Sequence, residues 1–454
     1  MDAIARYLSG YAASLDYRDL PRDTVHEARR RILDSVGCAL GGFAAEPCRI
    51  ARDLAPALEG RGTARILGTG QSTTPDMAAF ANTAMIRYLD CNDSFVSPGG
   101  GHPSDMLPAV LAAAEVAGAS GRAVITALVL AYEIYGQFAA RFATREKGWD
   151  QGLFIGPASA CAAGKVLGLP EEQLAHAMAM TVVSQVPLGQ TRVGELSAWK
   201  GCATAMAARN GVFAALLARA GMEGPPEPFE GRYGLFEQVT GELPLDGFGD
   251  ANAGVPFKLA ETSIKYFPVQ IHTQAGAAMA LELRDEFDPD QLERIRIETY
   301  GVAVRNAAGE PEKWDPKTRE TADHSLPYVV AVALTDGGVT PASFDEKRIG
   351  DPLLRPLMRK IEVSEDPEAT RNYPAQQQAR MEVELRSGRR LTRAADYPKG
   401  HSRNPLSDSE LEQKFLGLTA GVLPRARQAA LLESLRRFDE LENMDALFKT
   451  CQVV

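Results

Sequence analysis

Cysteine is sparse in this chain and never clustered. The six residues, Cys38, Cys48, Cys91, Cys161, Cys202 and Cys451, include no Cys-x-x-Cys pair. That spacing excludes the familiar zinc and iron–sulfur patterns and a disulfide framework, and it predicts reduced thiols in a cytoplasmic protein. A Gly-Lys-Ser/Thr ending after a glycine-rich run is also missing, which argues against a phosphate-binding P-loop. Long apolar runs are lacking: AVITALVLAY, residues 123–132, is about half a membrane span and runs into Glu133. The start, MDAIARYLSGYAASL, has no basic stretch before an apolar run, so no signal peptide is expected. Positive charge is the minority. With 49 Lys and Arg against 59 Asp and Glu, the net charge of −10 disfavours nucleic acid or an anionic membrane as partner. A protein this acidic that binds an acid must gather its cations locally.

What is present is mostly helical signal. Residues 21–40, 108–117 and 122–143 carry apolar side chains at helical spacing, and small residues recur in ASACAAGKVLG (158–168) and ATAMAARNGVFAALLARAG (203–221). Alanine favours helix and lets helix axes approach closely, so a tightly packed bundle is predicted. After about residue 265 the texture changes. QLERIRIETYG (291–301) and RKIEVSED (359–366) alternate as strands do, and 380–398 reads as a hairpin turning at Ser387-Gly388. Helical runs at 273–286 and 325–336 alternate with these strands, and helix returns from about 408 to 450. The reading is a mainly α protein: a discontinuous all-helical domain, 1–264 plus 402–454, with a smaller α+β domain inserted at 265–401.

The segment LDCNDSFVSPGGGHPSD, residues 89–105, sets Asp90, Asp93, Ser94 and His102 around three consecutive glycines, between two helical runs. Of the six histidines, His26 and His176 lie inside amphipathic helices. His102, His272 and His324 each precede a predicted helix, and His401 follows Tyr-Pro-Lys-Gly. A helix N-terminus attracts anions and disfavours imidazolium, which suits a neutral base. Each such histidine can equally be a capping neighbour. Lys200, Lys265, Arg192, Lys399 and Arg403 are candidate cations, though a lysine is most often a solvated surface charge. Asp90, Asp93 and His102 match no familiar metal-ligand spacing.

Five segments carry a resemblance: LDCNDSFVSPGGGHPSD (89–105), SAWKGCA (197–203), IKYFPVQIHTQA (264–275), ADHSLPYVVAVAL (322–334) and YPKGHSRNPLSD (397–408). In order and spacing they resemble the MmgE/PrpD family, which includes 2-methylcitrate dehydratase, cis-aconitate decarboxylase and iminodisuccinate epimerase. The resemblance implies a helical domain built from both chain ends with a smaller lid between them. It also implies a homodimer, and catalysis with no metal and no cofactor. Asp90 and His102 fall where the family's acid/base pair is proposed. Ser94 stands where threonine is common, Lys200 and Lys265 match cleft lysines, and Tyr328 matches a pocket tyrosine. The His272 segment looks closer to the dehydratase, the decarboxylase having histidine where this chain has Gln270. The stretch VPLGQTRVGELSAW, with Arg192, is shorter than an arginine-bearing insertion of the dehydratase.

The expected activity is hydro-lyase action on a 2-methylcitrate-like polycarboxylic acid. The same clamp and proton shuttle would serve a cis-aconitate-like decarboxylase or an iminodisuccinate-like epimerase; a non-catalytic scaffold would need neither. In this scheme His102, poised by Asp90, moves the proton. Lys200, Lys265, His272 and Arg192 grip carboxylates, while Ser94, Tyr328 and His401 complete the pocket. The glycines are expected to let the loop approach a ligand closely.

Overall fold

The computed structural model describes residues 1–453. Its larger apolar core is drawn from residues 4–264 and again from 406–451, and a second core from residues 267–391. The first is a helix assembly in which small residues set the spacing. The Gly152–Val166 and Trp199–Arg219 helices meet where a Cβ on Gly211 would stand 2.5 Å from Ser159 Cβ and 3.0 Å from the Gly156 carbonyl. Bulkier residues at this crossing would force the helices apart. The Gly121–Arg141 helix is longer than its most apolar stretch suggested. By length and a mean hydropathy of 1.5 it is able to cross a membrane, but 89% of that window is buried within the protein, as in a core helix.

The second core lies under a four-stranded sheet. Its order is Ile361–Glu365, Leu292–Thr299, Ala379–Leu385, Arg390–Ala395; the first pair is parallel and the others antiparallel. Alternation decides which face is wet. Ile295 opposite Val383 and Ile297 opposite Met381 point inward, under the Gln274–Leu283 and Leu326–Asp336 helices. Each such buried aliphatic side chain contributes about 1.5–3 kcal/mol. Arg294 and Arg296 on the outer face pair with Glu384 and Glu382, each at 2.9 Å. The hairpin turns through Gly388 at φ +84°, the left-handed conformation that glycine adopts without strain.

Three contacts fix the acidic loop and the segment that leads into the second core. Ser94 and Ser263 exchange backbone hydrogen bonds at 2.8 Å each way. Arg31, on the Arg22–Gly41 helix, donates to Thr262 Oγ1 at 2.9 Å and to its carbonyl at 2.8 Å. Lys414, on the Asp408–Thr419 helix near the other chain end, donates to the carbonyls of Cys91 and Lys265, both at 2.7 Å, and pairs with Asp34. One buried ammonium thus ties the acidic loop, the Lys265 segment and two helices together.

Candidate active site

The Pro75–Tyr88 helix ends at Leu89, and the chain turns out of it through Asp90 at φ 49°. Asp90 is the one non-glycine among the described residues with positive φ. Glycine usually takes this left-handed position after a helix; an L residue there costs about 1–2 kcal/mol. The cost is tolerated because the conformation delivers a carboxylate into a buried set of cations. Arg87 Nη1 donates to Asp90 Oδ1 at 2.8 Å, Lys265 Nζ lies 3.2 Å from the same oxygen, and Lys200 Nζ lies 3.8 Å from Oδ2. Lys265 Nζ also donates to the Asp90 carbonyl at 2.9 Å. Burial alone would raise the Asp90 carboxyl, but Lys200, Lys265 and Arg87 overcome it and hold the group well below the ordinary 3.8. Asp90 is therefore a fixed anion at neutral pH. Burial lowers both lysines from 10.5, partly offset by Asp90 and, at Lys200, by Asp323.

Asp323 and His324 complete this layer. Lys200 Nζ lies 3.3 Å from Asp323 Oδ1 and 3.4 Å from His324 Nδ1, while His324 Nε2 lies 3.8 Å from Asp90 Oδ2. Asp90, Asp323 and His324 place ligand-type atoms within 4.8 Å of one another, close enough to hold an ion. The Lys200 ammonium already supplies positive charge to all three. Beneath them Arg87 Nη1 donates to Asn92 Oδ1 at 2.9 Å, and Asn92 donates on to Asp105 Oδ1 at 3.0 Å. Burial pushes the Asp105 carboxyl up to about 7, against the pull of Arg87.

His102 is held by the Asp93 carbonyl and the Gln151 side chain rather than by Asp90. Its Nδ1 lies 2.6 Å from the Asp93 carbonyl, which can only accept, so Nδ1 carries the proton and Nε2 keeps a lone pair. Nε2 is 3.9 Å from Asp90 Oδ1, beyond hydrogen-bond range. The backbone N–H of His102 donates to Gln151 Oε1 at 2.7 Å. The Asp93 side chain accepts from the Ser104 N–H at 3.0 Å and the Tyr132 hydroxyl at 2.7 Å, braces the turn and does not line the cavity. Burial, then Arg87 and Lys265, lower the His102 value well below 6.5. The neutral imidazole expected from a helix N-terminus thus has a different cause here: desolvation and neighbouring cations. The glycines, of which Gly100 and Gly101 line the site's cavity, also have a packing reason. A Cβ would stand 2.3 Å from the Phe142 carbonyl at Gly99, 2.0 Å from the Phe95 carbonyl at Gly100 and 1.5 Å from Gln151 Oε1 at Gly101. These close approaches are to the protein's own backbone and to the side chain that anchors His102.

These groups open onto a cavity of about 410 Å³. Asp90, Ser94, His102, Arg192, Lys265 and His272 line it, as does Gln270, while Lys200 is buried behind Asp90. His272 Nδ1 meets the Tyr300 hydroxyl at 2.8 Å; burial and then Arg145 lower its value to about 3. Arg192 is paired with Asp150. Two expected residues lie elsewhere. Tyr328 is buried in the second core with its hydroxyl donating to the Ser343 carbonyl at 2.7 Å, and it is outside the cavity lining. His401 packs on Tyr397 with ring centroids 4.9 Å apart and accepts the Arg403 N–H at 3.0 Å, outside the lining. The wall is not uniformly cationic: Arg145, Arg192, Lys265, Arg305 and Lys313 face Asp90, Glu146, Asp150 and Glu310, five against four. Sequence reasoning passed over Arg87, Asp323, Arg145, Arg305 and Lys313. Arg87, on the last turn of the Pro75–Tyr88 helix and three residues before Asp90, was findable by its nearness in sequence; Arg145 and Arg305, 160 positions apart, carried no local signal.

Comparison with known proteins identifies the family of the chain. The MmgE/PrpD N-terminal domain matches residues 6–246 and the MmgE/PrpD C-terminal domain matches residues 267–440. The second stretch includes the Asp408–Thr419 and Arg425–Arg436 helices, which pack in the first core. The chain is 29% identical to the 2-methylcitrate dehydratase of Escherichia coli (strain K12), over 93% of this chain and 91% of that protein. It is 29% identical to the protein of the same name from Cupriavidus necator, over 90% and 88%. A cis-aconitate decarboxylase from Aspergillus terreus is 26% identical over 97% and 94%. Both halves of the sequence match in order and at nearly full length, and the chain belongs to the MmgE/PrpD family.

Proposed function

We propose that this chain is a hydro-lyase that dehydrates a 2-methylcitrate-like polycarboxylic acid by proton transfer, with no metal in the step. One observation carries the reading most: a buried, neutral imidazole whose free Nε2 faces a carboxylate fixed by three cations at the base of a cavity. Removing a proton next to a carboxylate drives an electron pair onto a group already negative. Preorganised cations stabilise that charge where water is excluded. In the proposed step the C–H electron pair moves toward the substrate carboxylate, which Lys265 receives, and the proton goes to His102 Nε2. The C–O bond then breaks as the C=C bond forms. The imidazolium returns its proton to the departing hydroxide, so water leaves and His102 is neutral again. Each positioned transfer contributes about 10²–10⁴-fold. Asp90 in this scheme stabilises imidazolium from a distance and keeps Lys200 and Lys265 charged.

The 265–401 unit acts as the lid over the helical unit of 1–264 plus 402–454, with Lys265 at the junction and His272 on the lid side. The exposed Val183, Val186 and Leu188 offer an apolar surface for a homodimer; light scattering at twice the chain mass is the expected result. A cis-aconitate-type decarboxylation is the second reading, favoured by the Aspergillus terreus relative and by a site equally fit to protonate a carbanion. Incubation with 2-methylcitrate, citrate, cis-aconitate and dicarboxylates in D₂O, followed by NMR, separates the two. A new alkene with water loss is expected; CO₂ release would favour the second reading, and a panel with neither exchange nor product would overturn both.

A further inference from the structure

Three of the five cations on the cavity wall already have carboxylate partners. Arg192 pairs with Asp150, Lys313 Nζ lies 3.7 Å from Glu310 Oε2, and Lys265 is bound to Asp90. Arg145 and Arg305 differ. Among the described residues neither has a carboxylate within 4 Å, and both are exposed residues at the cavity wall. Glu146, the remaining acid on the wall, is paired with neither. Arg145 sits in the Thr144–Lys147 turn of the helical unit, Arg305 on the Gly301–Ala308 helix of the sheet-bearing unit. They face a common surface, since both line the one cavity together with His272 and Tyr373. That surface is firm: Tyr373 stacks on Tyr300 at 4.5 Å, and the Tyr300 hydroxyl meets His272.

We infer that Arg145 and Arg305 form a two-sided clamp for an additional substrate carboxylate, remote from the one held by Lys265, so that the site selects tricarboxylates over dicarboxylates. Two guanidiniums with no protein counter-ion leave their fork-shaped donors free for a carboxylate, the group they match best. Their presence on different units means that the bound carboxylate also ties those units together. The inference rests on the polycarboxylate reading above and adds the subsite that counts the acid groups.

The test is calorimetric binding of two unreactive probes, tricarballylate and glutarate, to the full-length protein and to Arg145→Gln, Arg305→Gln and the double variant. Both side chains are exposed, so the variants should fold; circular dichroism checks this. The wild-type protein is expected to bind tricarballylate at least tenfold tighter than glutarate. Each single variant should shrink that preference at least threefold, and the double variant should abolish it while changing glutarate affinity less than twofold. A wild type with no preference, or a double variant that keeps it, overturns the clamp. If the preference behaves as expected but the D₂O assay shows no exchange or product, the reaction assignment fails and the clamp stands.

Discussion

Replacing Lys265 by methionine removes one charge at nearly constant volume, and its consequence follows from the geometry. The ammonium is fully buried, 3.2 Å from Asp90 Oδ1 and 2.9 Å from the Asp90 carbonyl. At that separation and an effective dielectric of 20 the attraction is roughly 5 kcal/mol. Much of it offsets the desolvation of the two ions, and removing one member of a buried pair typically costs about 3–5 kcal/mol. Arg87 and Lys200 remain beside Asp90, which places the stability loss near the lower end, about 3 kcal/mol. The kinetic loss has its own scale. A donor aimed at developing charge is worth about 10²–10³ in rate, so kcat/KM should fall by that factor. Acid stability should change in a defined direction. The Asp90 carboxyl is depressed in the folded protein, so its contribution is full above about pH 3.8 and disappears as pH falls toward the folded value. With one depressing cation removed, Lys265→Met should lose this contribution at higher pH than wild type. Steady-state kinetics and urea unfolding between pH 3 and pH 7 measure both effects. A folded variant with kcat/KM within threefold of wild type and the same acid profile would refute the argument.

Other perturbations follow from the same geometry. The pH profile of kcat/KM should keep its acid limb well below pH 6.5, because His102 stays neutral there, while the alkaline limb should fall below 10.5 as Lys200 and Lys265 lose protons; an acid midpoint at 6.5 or above contradicts this. Gly101→Ala drives a methyl into Gln151 Oε1, the anchor of the His102 N–H, and should cut kcat about 10²-fold in a protein with unaltered circular dichroism; normal turnover would remove the anchor from the account. Asp323→Asn leaves Lys200 with less negative charge around it and should lower the urea midpoint by the equivalent of about 3 kcal/mol at unchanged m, unlike a surface substitution.

The periodic parts of the chain were legible because side-chain direction alone decides them. The Arg22–Gly41 and Gly121–Arg141 helices and the hairpin through Gly388 lie where spacing and the Ser-Gly turn put them. The acidic loop stood out by composition, and the structure puts its Asp90, Ser94 and His102 on a cavity wall while Asp93 and the glycines serve the loop's own packing. What the sequence withheld was pairing across distance. Nothing local marks Lys414 as the tie between Cys91 and Lys265, or Arg145 and Arg305 as neighbours of one aromatic wall. Tyr328 shows the reverse limit: its position in a resembling segment did not reveal that its hydroxyl is taken by Ser343. The role of Asp90 also needed three dimensions, since its cations come from residues 87, 200 and 265.

The most direct test is the rate at which solvent deuterium enters a bound polycarboxylate, measured by NMR in D₂O for the wild-type protein and for His102→Gln. If the Nε2 lone pair takes the proton, wild type incorporates deuterium beside a carboxylate, and His102→Gln loses at least 10²-fold of that rate while still binding tricarballylate. Equal incorporation by the two proteins would show that another group moves the proton.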